Sequence, residues 1–179
     1  MKAAEPEAAP QAVDELGCEV TQSSNLDGVR LQLDDRGCVF TLAEAAEGIS
    51  FSYSLHVAHN VAGIVSPPAD AGSCGAKSVG GLEVLEFVLG EQRRFCECDY
   101  GDCMAPEEEP VTLVPGTYES SFRWPGVEWD GESDTMTPYG PAFPVGSYRV
   151  EIVMTGRQPS DGGSSAFRVV TTLPIRIVP

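Results

Sequence analysis

The region between residues 113 and 153 limits the possible folds of this chain more than any other part of the sequence. Near its start, Pro115-Gly116 makes a tight turn, and near its end Gly146 permits a corner just before Tyr148. After that corner the residues alternate with a period of two, as they do in a half-buried strand. Trp124, between the two turns, is expected in the core. Turn chemistry, aromatic anchors and alternation therefore predict the corner of a β-sandwich.

The same alternation recurs elsewhere in the chain. Residues 49–58 place large apolar side chains on one face and serines with His56 on the other, which is typical of a strand with one face in the core and one in water. Further strands are expected at residues 29–33, 38–42, 82–89, 93–100, 166–172 and 173–178, with a polar hairpin loop at residues 155–165. Only residues 42–47 favour a helix, which Gly48 ends.

Length and turn content extend this interpretation to the whole chain. A length of 179 residues suits one domain with its own core. The 19 glycines and 14 prolines are spread without a period and indicate many turns. We therefore predict an all-β fold, an Ig-like antiparallel β-sandwich with disulfide-tied long loops, over residues 15–179. Residues 1–14 are rich in Ala, Pro and Glu and are expected to form a flexible tether.

Cysteine usage points to disulfide bonds. The six cysteines are an even number, and we expect all of them to be paired: Cys18, Cys38, Cys74, Cys96, Cys98 and Cys103. Cys18 and Cys38 lie on neighbouring short elements, so a bridge between them is plausible, although spacing alone leaves the pairing open. Cys74 lies in the long loop at residues 66–81 and would pair with one of the last three. The alternative is a metal site in which Cys96, Cys98 and Cys103 are ligands and His56 or His59 completes the set, but a single residue between paired cysteines suits zinc poorly.

The cysteines also predict the compartment, because disulfides persist in oxidising surroundings. We expect an extracytoplasmic protein, either periplasmic, attached to the outer envelope or secreted. Residues 1–7 lack the apolar segment of a signal peptide, so a leader, together with a lipid anchor, is expected to have been removed. No apolar run approaches the ~18 residues of a membrane span. A net charge of −16 disfavours nucleic acid and anionic lipid as partners and favours a soluble monomer.

An ordered set of motifs resembles a known family. The motifs are Leu113-x-Pro115-Gly116, Trp124, Trp129-Asp130-Gly131 and Pro144-x-Gly146-x-Tyr148. The pattern resembles the Ig-like domain of the bacterial intracellular proteinase inhibitor (BsuPI) family. It is also similar to the Ig-like insert of the flagellar hook-capping protein. The resemblance covers residues 49–154 and implies an Ig-like fold. It further implies proteinase inhibition, with a loop such as residues 104–110 or 132–143 presented to a protease.

Catalytic and metal motifs give little support to an enzyme. Gly-x-Ser-x-Gly does not occur, and two histidines, His56 and His59, leave little material for a catalytic triad. On a strand, residues three apart project to opposite faces, so the two histidines are expected to be surface residues rather than ligands of one metal. The acidic run at residues 130–134 lacks the EF-hand pattern of a calcium loop. We expect no catalytic residue, no metal and no cofactor.

Because catalytic and metal motifs are weak, we expect the loops of a rigid sandwich to carry the function. The candidate binding-loop residues are acidic or aromatic: Glu107, Glu108, Glu109, Glu132, Asp134, Tyr139 and Phe143. The sequence thus predicts an exported, noncatalytic binding or structural module with a protein partner that it does not identify. A proteinase inhibitor is the first alternative and a secreted metal-binding protein the second.

Overall fold

The computed structural model describes residues 17–34, 37–66, 77–96, 110–129 and 139–179. These residues form strands almost throughout, which confirms the all-β prediction. One short helix, α1 (Leu42–Glu47), interrupts them. The strands are β1 (Thr21–Ser24), β2 (Val29–Leu33), β3 (Val39–Thr41), β4 (Ile49–Val57), β5 (Val61–Ile64), β6 (Lys77–Val79), β7 (Leu82–Leu89), β8 (Arg94–Phe95), β9 (Val111–Leu113), β10 (Gly116–Trp124), β11 (Val127–Trp129), β12 (Tyr139–Ala142), β13 (Gly146–Ser160) and β14 (Gly163–Val178).

The strands form two main sheets around one apolar core, as a sandwich requires. The larger sheet has the order β1-β14-β13-β7-β6, with β3 beside β14 and β8 beside β7. The smaller is a three-stranded sheet with the order β10-β4-β2. Pairing in both sheets is antiparallel apart from β3, which runs parallel to β14. Two short strand pairs, β11–β12 and β5–β9, flank them.

Strict alternation fixes the register of the three-stranded sheet. The odd-numbered residues of β4 are buried and its even-numbered residues are partly or fully exposed, as predicted. Phe51 lies opposite Phe122, and their rings stack at 5.3 Å between centroids. Ile49 lies opposite Trp124, whose side chain is fully buried and donates its Nε1–H to the carbonyl of Val127 at 3.2 Å. A register slip of one residue would turn these side chains to water, so the apolar pattern selects this pairing.

The long β13–β14 hairpin differs from the sequence prediction. Residues 155–165, expected as a polar loop, continue both strands to the pair Ser160 and Gly163, with only Asp161-Gly162 between them. Most of this tip is exposed, so its polar composition reflects solvent on both faces rather than a loop. β14 is also one strand instead of the two expected at residues 166–172 and 173–178.

Pro174 shows how a proline is accommodated within β14. It lies opposite Arg149 of β13. On the other side of β14, the pairing with β1 ends at Thr172 and the pairing with β3 begins at Arg176. The Arg176 N–H donates to the carbonyl of Cys38 on that side at 2.7 Å, so the nitrogen of Pro174, two residues earlier, also faces it. The missing N–H of the proline therefore falls in the gap between β1 and β3, where no ladder bond is lost.

The two predicted corners form the same local structure. At the start of β10 the hydroxyl of Tyr118 donates to the carbonyl of Val114 at 2.9 Å, and at the start of β13 the hydroxyl of Tyr148 donates to the carbonyl of Pro144 at 2.7 Å. A Cβ at Gly146 would lie 3.1 Å from the Tyr148 hydroxyl, so glycine leaves room for the ring. Each corner closes a tight turn with a hydrogen bond from the side chain back to the backbone.

A capped helix and a disulfide complete the frame. Thr41 and Glu44 form a capping box at the start of α1, and Gly48, with φ of +95°, ends the helix as predicted. Cys18 and Cys38 are joined by a disulfide across a Cα–Cα distance of 5.5 Å, which confirms the bridge expected between these neighbouring elements. It ties the segment before β1 to the start of β3.

Candidate functional site

Few of the predicted binding-loop residues can be placed. Glu107, Glu108, Glu109, Glu132 and Asp134 lie outside the described residues, as do Cys74, Cys98 and Cys103. Cys96 is buried and disulfide-bonded. Tyr139, in β12, is 53% exposed, and its ring meets the ring of Trp129 edge-on at 5.5 Å.

Phe143 is a core residue, so its assignment to a binding loop is wrong. Its side chain is 1% exposed and meets the ring of Trp124 at 4.8 Å and that of Tyr148 at 5.0 Å. The reason is the corner itself, because Phe143 is the last residue before Pro144 and closes the core beneath the turn. Of the two aromatic residues predicted for the binding loops, Tyr139 is thus exposed, beside the half-buried Trp129, and Phe143 is not.

A groove lined by both polar and apolar groups lies at the opposite end of the three-stranded sheet, and we take it as the candidate site. It has a volume of about 920 Å³ and is open to solvent. Its walls come from the turn between β1 and β2, the first residues of β2, the end of β4 and the start of β10. The groove is lined by Ser24, Asn25, Leu26, Asp27, Gly28, Val29, Arg30, His56, Val57, Ala58, Gly116 and Thr117.

The turn that forms one wall is anchored to the larger sheet. The Oδ1 of Asn25 accepts a hydrogen bond from the N–H of Arg168 at 2.6 Å, and the Nδ2 of Asn25 donates to the carbonyl of Ala166 at 3.3 Å. Within the turn, the hydroxyl of Ser24 accepts from the N–H of Leu26 at 3.2 Å. These bonds connect both sheets at the groove and hold the wall in one conformation.

His59 covers the same turn. Its Nε2 lies 3.4 Å from the Oδ2 of Asp27, an ion pair when the imidazole is protonated. Gly28 has φ of +69°, and a Cβ there would lie 2.3 Å from the Cε1 of His59. The glycine is therefore required both by the backbone conformation and by the imidazole that lies over it.

The floor of the groove is a row of three side chains, one from each strand of the sheet. Arg30 of β2 lies opposite His56 of β4, which lies opposite Thr117 of β10. The imidazole of His56 is fixed between two hydroxyls, with Nε2 3.0 Å from the Oγ of Ser54 and Nδ1 3.0 Å from the Oγ1 of Thr117. A neutral imidazole has one donor and one acceptor nitrogen, so one hydroxyl donates to the ring and the other accepts from it.

Arg30 differs from the rest of the groove because its charge is not engaged. Its side chain is exposed, and within the described part of the chain it forms no hydrogen bond or ion pair. The other polar groups of the groove are engaged, since Asn25 bonds to β14, Asp27 faces His59 and Thr117 bonds to His56. As far as the described residues show, the groove thus offers the unpaired cation of Arg30 beside an oriented set of hydroxyl and imidazole groups.

The groups that contact His56 are hydroxyls. Among the described residues no carboxylate contacts His56, so nothing there orients the imidazole as a general base in the manner of a triad. The described part of the chain also has no group of three or more His, Cys, Asp or Glu residues that could hold a metal ion. Hydrogen bonding and charge are the chemistry that the groove provides.

A second titratable cluster lies between the sheets and is structural. The buried hydroxyl of Tyr53 donates to the Oε1 of Glu86 at 2.5 Å, and the Nζ of Lys77 lies 3.1 Å from the same oxygen. Burial, followed by the charge of Glu86 and the hydrogen bond to it, raises the pKa of Tyr53 far above its usual value. The phenol therefore stays neutral and joins β4 to β7.

The sequence indicated part of the groove but not its assembly. The alternation in residues 49–58 correctly places His56 on the polar face, and the sequence Asn25-Leu26-Asp27-Gly28 correctly indicates a turn. What brings Arg30, His56 and Thr117 into one row is the pairing of three strands far apart in the chain, and the alternation within one strand does not predict which strands it pairs with.

The function of the groove has to be inferred from its own chemistry. Among the residues that the structure describes, no helix has both the length and the apolar character needed to cross a membrane. The disulfide between Cys18 and Cys38 belongs to an oxidising environment. No protein-family model, curated protein or solved structure matches this chain.

Proposed function

We propose that this protein is an exported, noncatalytic Ig-like binding module whose groove receives a ligand or a segment of a partner. The observation on which the proposal depends is the open groove of about 920 Å³ at the end of the three-stranded sheet, lined by polar groups with fixed orientation. Binding sites are concave, and they need a few well-placed polar groups for specificity. The groove meets both conditions.

Rigidity of the scaffold supports the same proposal. Asn25 fixes one wall to β14, and the corner at Tyr118 fixes the opposite wall at the start of β10. Preorganised walls lower the conformational entropy that is lost on binding. Binding residues are often carried by loops and strand ends that a rigid scaffold holds in place, and the sandwich holds the walls of the groove in this way.

Export is supported by sulfur chemistry and by charge. Cys18, Cys38 and Cys96 are all disulfide-bonded, a state that is rare in reducing compartments. The net charge of −16 favours solubility without a partner. Mass spectrometry of the natural protein, without reduction, tests the proposal: fully oxidised cysteines agree with export, and six free thiols would contradict it.

The groove can be tested by NMR with a fragment library. Uniformly ¹⁵N-labelled protein is titrated with small neutral and charged fragments, and backbone amide shifts are followed. We expect the shifts to concentrate at Gly28, Arg30, His56, Ala58 and Thr117, because these residues line the groove. Shifts that concentrate elsewhere, for example at Tyr139 in β12, would reject the groove as the binding site. A proteinase inhibitor, suggested by the family resemblance, would present a loop such as residues 104–110 or 132–143, of which residues 104–109 and 132–138 lie outside the described residues. It stays a prediction that a panel of secreted serine proteases tests.

A further inference from the structure

We infer that Arg30 binds a carboxylate group of the ligand that occupies the groove; this inference rests on the proposed function. The first argument is the contrast between Arg30 and the arginines of this acidic chain that pair with carboxylates. Arg93 lies 2.6 Å from the carboxylate of Glu128, and Arg168 lies 2.8 Å from that of Glu151. Arg30 has no such partner among the described residues, although the chain has 27 Asp and Glu residues.

The position of Arg30 explains why it is unpaired. β2 is an outer strand of the three-stranded sheet, so Arg30 has a cross-strand neighbour on one side only, and that neighbour is His56. The next exposed residue of β2 on the same face is Gln32, which is neutral. Glu119, on the same face, is on β10 at the opposite edge and one row further along. Asp27, which also lines the groove, faces His59. Among the residues that the structure describes, the guanidinium is therefore open to a ligand from solution.

The chemistry of the row selects a small monoanion. A guanidinium presents a planar fork of donors that matches the two oxygens of a carboxylate. The three strands place Arg30 and Thr117 about 10 Å apart, the length of a small molecule. The net charge of −16 repels any anion in proportion to the charge of that anion. We therefore assign a single carboxylate to the ligand, because the chain repels it less at long range than a phosphate with two charges.

Neighbouring groups determine how such a ligand lies. The carboxylate is placed over Arg30 on β2, farthest from Glu119 on the opposite edge. The rest of the ligand extends towards Thr117, where hydroxyl and imidazole groups both donate and accept hydrogen bonds. A peptide carboxyl terminus and a sugar acid share this chemistry, with a carboxylate next to amide or hydroxyl groups.

The test uses matched pairs of small probes that differ in charge but little in shape. N-acetylglycine and N-acetylglycinamide represent a peptide terminus, and glucuronate and glucose represent a sugar acid with its neutral counterpart. Each probe is titrated into the ¹⁵N-labelled full chain. We expect at least one carboxylate to shift the amides of Arg30, His56 and Thr117, and to bind at least about tenfold more tightly than its neutral counterpart, the size expected of charge-assisted hydrogen bonds. The pair that responds identifies the source of the carboxylate.

Two variants connect the result to Arg30. Arg30→Gln is expected to weaken carboxylate binding about tenfold, whereas Arg149→Gln, which removes the same charge from the larger sheet, is expected to leave it unchanged. Equal binding of a carboxylate and its neutral counterpart in the groove would overturn the inference and leave the binding function standing. Full carboxylate affinity in Arg30→Gln would also overturn it, as would no shift at the groove with either acid. The fragment library decides separately whether the groove binds anything.

Discussion

Arg30 and Arg123 lie on the same face of the same three-stranded sheet, at opposite ends, and differ in what their guanidinium groups contact. Arg123, opposite Ser50 near the end of β10, donates to the carbonyl of Glu47 in the last turn of α1. Arg30, at the groove, has no partner among the described residues. Arg123 therefore stabilises the packing of the helix against the sheet, whereas Arg30 makes no such contact with a described residue.

The surroundings of the two ends agree with this difference. At the helix end, a Cβ on Gly48 would lie 2.6 Å from the Nε of Arg123, and a Cβ on Gly126 would lie 2.3 Å from the carbonyl of Ala45. Helix and sheet therefore meet at close range, around the buried Trp124. At the groove end the strands open towards solvent. We expect mutations at the helix end to lower stability and mutations at the groove end to lower binding.

Trp124→Ala provides the largest test of the helix end. The side chain is fully buried, contacts Phe143 and donates to the carbonyl of Val127. We expect its loss to lower the free energy of unfolding by about 3–5 kcal/mol, from the cavity and the lost transfer energy. Thr117→Ala at the groove end is the control and should change stability by no more than about 0.5 kcal/mol. Equilibrium urea unfolding measures both, and similar losses in the two variants would refute the contrast.

Tyr53, in the middle of β4, allows a test by pH. Burial and the nearby Glu86 carboxylate raise the pKa of Tyr53 above its ordinary value. Above about pH 10, the unfolded chain loses this phenolic proton while the native protein keeps it, so stability falls as pH rises, by about 1.4 kcal/mol per pH unit. Tyr53→Phe removes this contribution and should show a shallower decline between pH 10 and pH 11. Parallel declines in the two proteins would show that Tyr53 does not titrate with folding.

The sequence predicted the elements better than their assembly. The residues of β2, β7 and α1 were correctly identified, because in each the burial pattern or the capping sequence is local. For the β13–β14 hairpin the sequence predicts strands that end too early, because the exposed tip is polar on both faces and shows no alternation. Phe143 was assigned to a binding loop because the sequence cannot show that the corner at Tyr148 turns it into the core.

The residues of the groove can likewise be predicted from the sequence only in part. Its turn and the exposure of His56 follow from local patterns, but Arg30 is an ordinary surface arginine in the sequence. Its suitability for binding a ligand depends on two features of the folded sheet. Arg30 lies opposite His56, and β2 has no acidic residue beside it. Cross-strand neighbours depend on register, which the whole core determines.

Replacing each of the two arginines by alanine compares the contribution of each end of the sheet to stability. Arg123→Ala removes a hydrogen bond from a charged donor to the helix carbonyl and should lower the free energy of unfolding by about 1 kcal/mol. Arg30→Ala should change it by less than about 0.5 kcal/mol, because no described interaction is lost. Thermal unfolding of the two variants under one buffer condition checks this order. A larger loss in Arg30→Ala would mean that Arg30 is structural, and would remove the basis for its role in binding.

The smallest effect concerns the charge that faces Arg30 across the sheet. Glu119 lies on β10, one row further along the same face and about 12 Å from Arg30 by strand spacing and rise per residue. At that distance in water, one negative charge disfavours a bound carboxylate by about 0.35 kcal/mol. Glu119→Gln should therefore tighten binding of a carboxylate probe about twofold at low ionic strength, and the gain should shrink as salt screens the charge. Removing an equally exposed carboxylate far from the groove, in Asp161→Asn at the hairpin tip, should have no such effect. If both variants gain equally, the anion responds to the net charge of the protein, and its carboxylate is not held at the edge formed by β2.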